Sequence, residues 1–169
     1  YHNIGKYFDR TNNIFFKFLA GQLLDGVIIA IITSIAMSIL GVRYAILLGV
    51  MIGVFNLIPY FGAIIAVIIA ALITILTGGI WQALLMVIIV TVLQQIDANI
   101  INPKILGNTL KISPLLVIFA VSLGGAYFGF WGMFLSVPII AVLKLLITDY
   151  IEYKSRLKEE NEIDFIHGK

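Results

Sequence analysis

Between Gly21 and Leu143 the chain is almost continuously apolar, and its only charged side chains there are Asp25, Arg43, Asp97, Lys104 and Lys111. Glycine, proline and polar breaks divide the stretch into six runs, at about 23–40, 44–58, 63–77, 80–96, 115–126 and 128–147. A backbone in hydrocarbon must satisfy its own hydrogen bonds, so runs of this kind are expected to be helices. A membrane span needs about 20 residues. The runs 23–40, 80–96 and 128–147 reach or approach that length, and the other three fall short. An arm of about 15 residues covers about 22 Å of a hydrocarbon core about 30 Å thick. Two such arms joined at a tight break can enter and leave the bilayer by the same face. The pairs 44–58 with 63–77, and 115–126 with 128–147, are therefore expected to be re-entrant hairpins or, alternatively, short tilted spans.

Charge distribution gives the expected sidedness. Lys6, Arg10 and Lys17 precede the apolar region, and Lys154, Arg156 and Lys158 stand in the tail. If residue 23 lies towards the cytoplasm, every Lys and Arg except Arg43 falls inside, as the positive-inside rule requires. The first long run plus its hairpin and the fourth run plus its hairpin then have opposite orientations. That is the plan of an inverted-topology repeat, common in secondary transporters. The inference rests on segment lengths, because no residue-level repeat relates the halves. The expected organisation is a cytoplasmic-side flank over 1–20, a transmembrane domain over 21–148 and a charged cytoplasmic tail over 149–169.

Composition strengthens the membrane assignment. Hydrophobic residues make up 61% of the 169, charged residues 12%, and mean hydropathy is +1.08. Soluble domains are about 45–50% apolar and about 25% charged. The fold class expected is all-α, a polytopic transmembrane helix bundle, with lipid as its surroundings. A net charge of +2 without basic clusters among stacking aromatics gives no nucleic-acid partner. The chain begins at Tyr1 without Met or a signal-peptide pattern, so it is expected to be part of a longer protein.

Candidate chemistry gathers at two breaks. At the first, Pro59 removes a backbone donor and Gly62 permits a reversal, which frees nearby carbonyls. Asn56 and Tyr60 add side-chain polarity there, either to contact a solute or ion or merely to cap a turn. At the second, Gln94, Gln95, Asp97, Asn99 and Asn102 cluster at the end of an apolar run, where a polar loop from Asp97 to Pro114 is expected to begin. Ionisable groups at membrane depth are functional candidates, so Asp97 is a candidate for a cation- or proton-linked role, with interfacial capping as the alternative. Asp25, beside Gln22 and Gly26, is expected to serve an interfacial or helix-start role. Gly124, Gly125 and Gly129 are expected to break or closely pack the last hairpin. No metal site or cofactor is indicated. With His2 and His167 as the only histidines, no cysteine and no phosphate loop or hydrolase motif, an enzyme would lack its parts.

An ordered series of short motifs carries a family resemblance. Gly21-Gln22-Leu23-Leu24-Asp25 is followed by Gly41-Val42 and by Gly53-Val54-Phe55-Asn56-Leu57-Ile58-Pro59-Tyr60-Phe61-Gly62. Then come Gln94-Gln95-Ile96-Asp97-Ala98-Asn99, Pro103-Lys104-Ile105-Leu106-Gly107, Pro114-Leu115 and Gly129-Phe130-Trp131-Gly132-Met133-Phe134-Leu135-Ser136-Val137-Pro138. Together they resemble the C-terminal portion of the autoinducer-2 exporter family of bacterial membrane transporters. Arg43 departs from the pattern, where proline is frequent. The resemblance implies a multi-pass protein of the bacterial cytoplasmic membrane that assembles as a homo-oligomer, reportedly a pentamer, with elevator-type movement. It also implies export of small polar signals such as autoinducer-2 in some members and sodium- or lithium-proton antiport in others. A non-transporting membrane scaffold is the third reading.

The sidedness is directly testable in this cysteine-free chain. Single cysteines at Asn108 and Val42 are expected to differ in intact cells, with an impermeant thiol reagent labelling position 42 and sparing 108. The reverse pattern would overturn the orientation.

Overall fold

The computed structural model describes residues 2–106 and 112–167, and every element among them is helical. α1 spans His2–Ile39, α2 Ala45–Phe55, α3 Phe61–Gly78 and α4 Ile80–Ile96. α4 continues through a π-helical turn, Asp97–Ile101, into α5, Asn102–Leu106, and α6 spans Pro114–His167. Four stretches are long and apolar enough to cross a membrane: Thr11–Ile39, Phe61–Gly78, Ile80–Leu106 and Pro114–Ile151. Their outward faces carry large apolar side chains, with Leu76 85% and Ile39 81% exposed. Apolar surface on that scale is covered by lipid, and the chain is an all-α polytopic membrane protein.

α1 and α2 form an antiparallel pair whose backbones touch. A Cβ on Gly53 would meet the Gly26 carbonyl oxygen and come within 2.6 Å of the Ala30 Cβ, and one on Gly49 would strike Ser34. Small residues let membrane helices gain dispersion contact at the closest range, in a medium that offers no hydrophobic drive to association. α2 is 11 residues long, about 16 Å, and ends beside Asp25, halfway along Thr11–Ile39. The chain then reverses through 56–60 into α3, so α2 and α3 are the arms of a helical hairpin with its tip against the middle of α1. At the tip Tyr60 has φ 65° and ψ −57°, a strained conformation for a bulky residue.

α4 and α5 lie antiparallel to α1. Gln82 donates to the Leu40 carbonyl at 3.0 Å, Asn102 to Asp25 at 3.2 Å, and Leu106 stands against Gly21. α6 is a second hairpin. Gly129 takes φ 61° and ψ −142°, a conformation open chiefly to glycine, and the arms 114–128 and 130–167 fold back on each other. A Cβ on Gly132 would strike the Gly124 carbonyl, although residues eight apart in one helix would be about 12 Å apart. Pro114–Ile151 is apolar over 38 residues because it doubles back, not because it spans once. The two hairpins meet where Ile58, at the first tip, packs with Phe18, Val117, Val121 and Val137.

Three boundaries differ from the sequence expectation. α1 begins far ahead of residue 23, because helix formation does not require the apolar face that defined that run. The stretch 97–106, expected to open a polar loop, is helical throughout, with its amides used as side-chain donors rather than turn formers. Gly107, Asn108 and Lys111 lie outside the described residues. The last break falls at Gly129 alone, while Gly124 and Gly125 sit inside the ascending arm.

Replacing Gly53 with leucine is expected to separate α1 from α2 and cost about 1–3 kcal/mol or more through overpacking. Thermal unfolding of the purified full-length protein measures this; an unchanged midpoint would show that the close crossing is dispensable.

Candidate functional site

The tip of the first hairpin, the middle of α1 and the end of α4 converge on a small polar cluster. Asp25 comes from α1 and is fully buried, and Asp97 opens the π turn and is 6% exposed. Asn56 lies just past α2, where the helix has ended and its polar groups are free for other partners. Its side-chain Nδ2 donates to Asp25 Oδ2 at 3.0 Å and to Asp97 Oδ2 at 3.3 Å. Asn102 Nδ2 donates to the same Asp25 oxygen at 3.2 Å. Gln22, one helical turn before Asp25 and itself buried, donates from Nε2 to the Asn56 carbonyl oxygen at 2.9 Å. Asn56 thus engages the surrounding helices twice, its side-chain N–H group donating to the carboxylates and its backbone carbonyl accepting from Gln22.

The π turn explains how Asp97 and Asn102 reach the same place. In an α-helix five residues advance about 140° beyond a full turn, so the two side chains would diverge. Here the Asn102 backbone N–H donates to the Asp97 carbonyl, the i→i+5 bond of a π turn. The widened turn stacks residue 102 over residue 97, and both face α1. Asn99, on the outside of the turn, donates to the Gln95 carbonyl at 2.7 Å and so serves its own helix.

Two buried oxygens in this cluster, Asp25 Oδ1 and Asp97 Oδ1, have no hydrogen-bond partner. Among the described residues no Lys, Arg or His pairs with either carboxylate, and Lys104 on α5 is exposed. Two carboxylates in one water-poor site cannot both stand bare at low cost. The arrangement can take up a positive charge, and within a membrane a proton is the smallest form of it.

The candidates from the sequence sort clearly. Asn56, Asp97 and Asn102 come together. Gln94 lies nearby on α4, its Nε2 3.5 Å from the Ala63 carbonyl, and joins α4 to the start of α3. Gln95, Asn99 and Tyr60 are exposed and make no bond to the carboxylates. Pro59 and Gly62 shape the reversal: a Cβ on Gly62 would collide with the Phe55 carbonyl. Gly124, Gly125 and Gly129 belong to the second hairpin, away from the cluster. Gln22 and Asp25 complete the site and were not among the expected contacts. Their signal was available, since Asp25 and Asp97 are the only acids in the apolar region, but its pairing across 31 residues with Asn56 has no local signature.

Pro59→Ala is expected to leave assembly intact while lowering flux through the full-length protein, because the tip would regain helical partners and draw Asn56 away from the carboxylates. Wild-type flux at normal expression would reduce the break to a packing feature.

Residues 1–152 match the family described as AI-2E family transporter. The chain is 37% identical to YrrI of Bacillus subtilis over 138 residues, covering 82% of this chain and 39% of the relative. It is 30% identical to YueF of the same organism over 159 residues, covering 91% of this chain and 43% of the relative. With YhhT of Escherichia coli it shares 27% identity over 128 residues, covering 76% of this chain and 37% of the relative. All three are provisionally named as transport proteins. The chain therefore spans about two fifths of the length of the relatives it matches. No solved structure matches it.

Proposed function

Because this chain belongs to the AI-2E transporter family, we propose that it forms the proton-coupled core of a secondary transporter exporting a small polar solute of the autoinducer-2 type. The observation that carries this is the buried pair Asp25 and Asp97, each with one unpartnered oxygen and no basic neighbour among the described residues. A coupling group must alternate between charged and neutral states as the protein moves, and a desolvated carboxylate pair is suited to exchange a proton. Its location supports the same reading, because the pair sits where a hairpin tip meets two long antiparallel helices. Broken helices near the midplane are where secondary transporters build their sites. Both hairpins are re-entrant in this reading, and the protein works as a homo-oligomer in the bacterial cytoplasmic membrane.

Export moves solute and protons in opposite directions, so the inward proton gradient drives each cycle. Asn56 and Asn102 orient the carboxylates, and Gln22 fixes the tip. The same pair would also serve sodium- or lithium-proton antiport, in which a cation gradient alone moves protons.

Proteoliposomes containing the full-length protein separate these readings. With autoinducer-2 inside, an imposed pH gradient is expected to accelerate its release, and Asp97→Asn or Asp25→Asn to abolish that acceleration while the protein still assembles. Proton movement driven by sodium or lithium with no solute present would establish antiport instead. Unchanged pH dependence in both variants would sink the coupling assignment, and absence of any flux would leave a scaffold.

A further inference from the structure

The carboxylates and amides of the central cluster are not arranged as two separate pairs. Asp25 and Asn56 come from the first half of the chain, Asp97 and Asn102 from the second. Each carboxylate accepts an amide from the opposite half: Asp97 from Asn56 at 3.3 Å, Asp25 from Asn102 at 3.2 Å. Asn56 also bonds Asp25 within its own half at 3.0 Å. Both of the crossing bonds end on a carboxylate, so both depend on its charge. A hydrogen bond to an ionised acceptor is roughly twice as strong as one between neutral groups. The bond from Gln22 to the Asn56 carbonyl joins two neutral groups and has no such dependence.

We propose that Asn56 and Asn102 are positioning residues forming a charge-dependent clasp, which grips the hairpin tip to α1 and the π turn when the carboxylates are ionised and relaxes when they take up a proton. This deepens the preceding reading and rests on its assignment of the pair as the proton-loading group. The clasp supplies what proton coupling needs, a contact between moving parts whose strength follows the loading of the site. Among the described residues no other titratable group intrudes. α2 and α3 carry none, α4 carries none before Asp97, Tyr60 is exposed at the turn, and Lys17 on α1 and Lys104 on α5 are exposed. The α6 residues packed near the tip, Val117, Val121 and Val137, are apolar.

The π turn is an integral part of the device, because only the i→i+5 stacking brings the Asn102 amide to Asp25 while leaving Asp97 facing Asn56. The second half thereby holds a donor and an acceptor one turn apart, as the first half does with Asn56 and Asp25 across the α1–α2 crossing.

The experiment follows the thermal unfolding of the purified full-length protein as pH is lowered from about 9 to about 4, a window that includes ordinary and perturbed carboxylates. It needs no knowledge of the solute. Asn102→Ala removes one crossing bond while leaving both carboxylates. The difference in unfolding temperature between wild type and variant is expected to be largest at the alkaline end and to shrink at least twofold at the acid end, where the clasp is relaxed in both. Asn99→Ala, whose side chain bonds only Gln95, is expected to show a difference that does not change with pH. In the Asp25→Asn background the Asn102→Ala effect should likewise lose its pH dependence. Should Asn102→Ala fail to assemble, Asn102→Ser, whose hydroxyl falls short of Asp25, is read in the same way. A pH-independent difference for the Asn102 variant overturns the clasp, even where flux remains proton-driven. Flux indifferent to a pH gradient overturns the coupling assignment, whatever the unfolding curves show.

Discussion

Backbone rests on backbone where α1 crosses α2: a Cβ added to Gly26 would lie 2.9 Å from the Gly53 carbonyl oxygen, so no side chain can stand between the helices there. That crossing lies one residue from Asp25 and three from Asn56. Because the helices cannot drift apart, the tip of the first hairpin is carried to the middle of α1 and its asparagine is delivered to the carboxylate. A crossing wider by the thickness of a methyl group would place the amide beyond hydrogen-bond range of one acid or the other. The polar centre is thus a consequence of small residues on two apolar helices, and its geometry is set by van der Waals contact before any hydrogen bond forms.

The surrounding medium sharpens the effect. In water a pair of carboxylates would be screened and solvated, and a misplaced amide would find another partner. Inside a lipid-covered bundle the alternatives are few, so each donor that reaches the acids changes their energy appreciably. This favours a network of neutral amides over a salt bridge. An arginine or lysine would neutralise the pair permanently, whereas amides support the charge and leave room for a proton to come and go. Strain at Tyr60, with its positive φ, is tolerated at the same tip because Gln22 holds the Asn56 carbonyl before it and Gln94 reaches the Ala63 carbonyl after it.

Much of this architecture was legible in the sequence, and for a clear reason. Lipid imposes a one-dimensional code: length of apolar run, position of break, distribution of Lys and Arg. That code gives helices and hairpins, and it singled out Pro59–Gly62 and the Gln94–Asn102 stretch as places where apolar runs end. It cannot say which polar residues face each other, since Asp25 and Asn102 are 77 positions apart and meet through three-dimensional packing. Asp25 was expected at an interface because glutamine and glycine flank it, and those neighbours are the very residues that bind it to the tip: Gln22 holds Asn56, Gly26 admits α2. The polar stretch after Asp97 was expected as loop because Asn and Pro favour turns, yet its asparagines are occupied by a carboxylate and by their own helix, and the backbone remains helical.

The π turn holds one residue more than the helix around it needs. Removing one residue within 97–101 would restore a plain α-helix and turn everything after it by about 100°. A chain shortened in this way would keep its faces up to Asp97 and then fall out of register, and the side chain at the Asn102 position would swing away from Asp25.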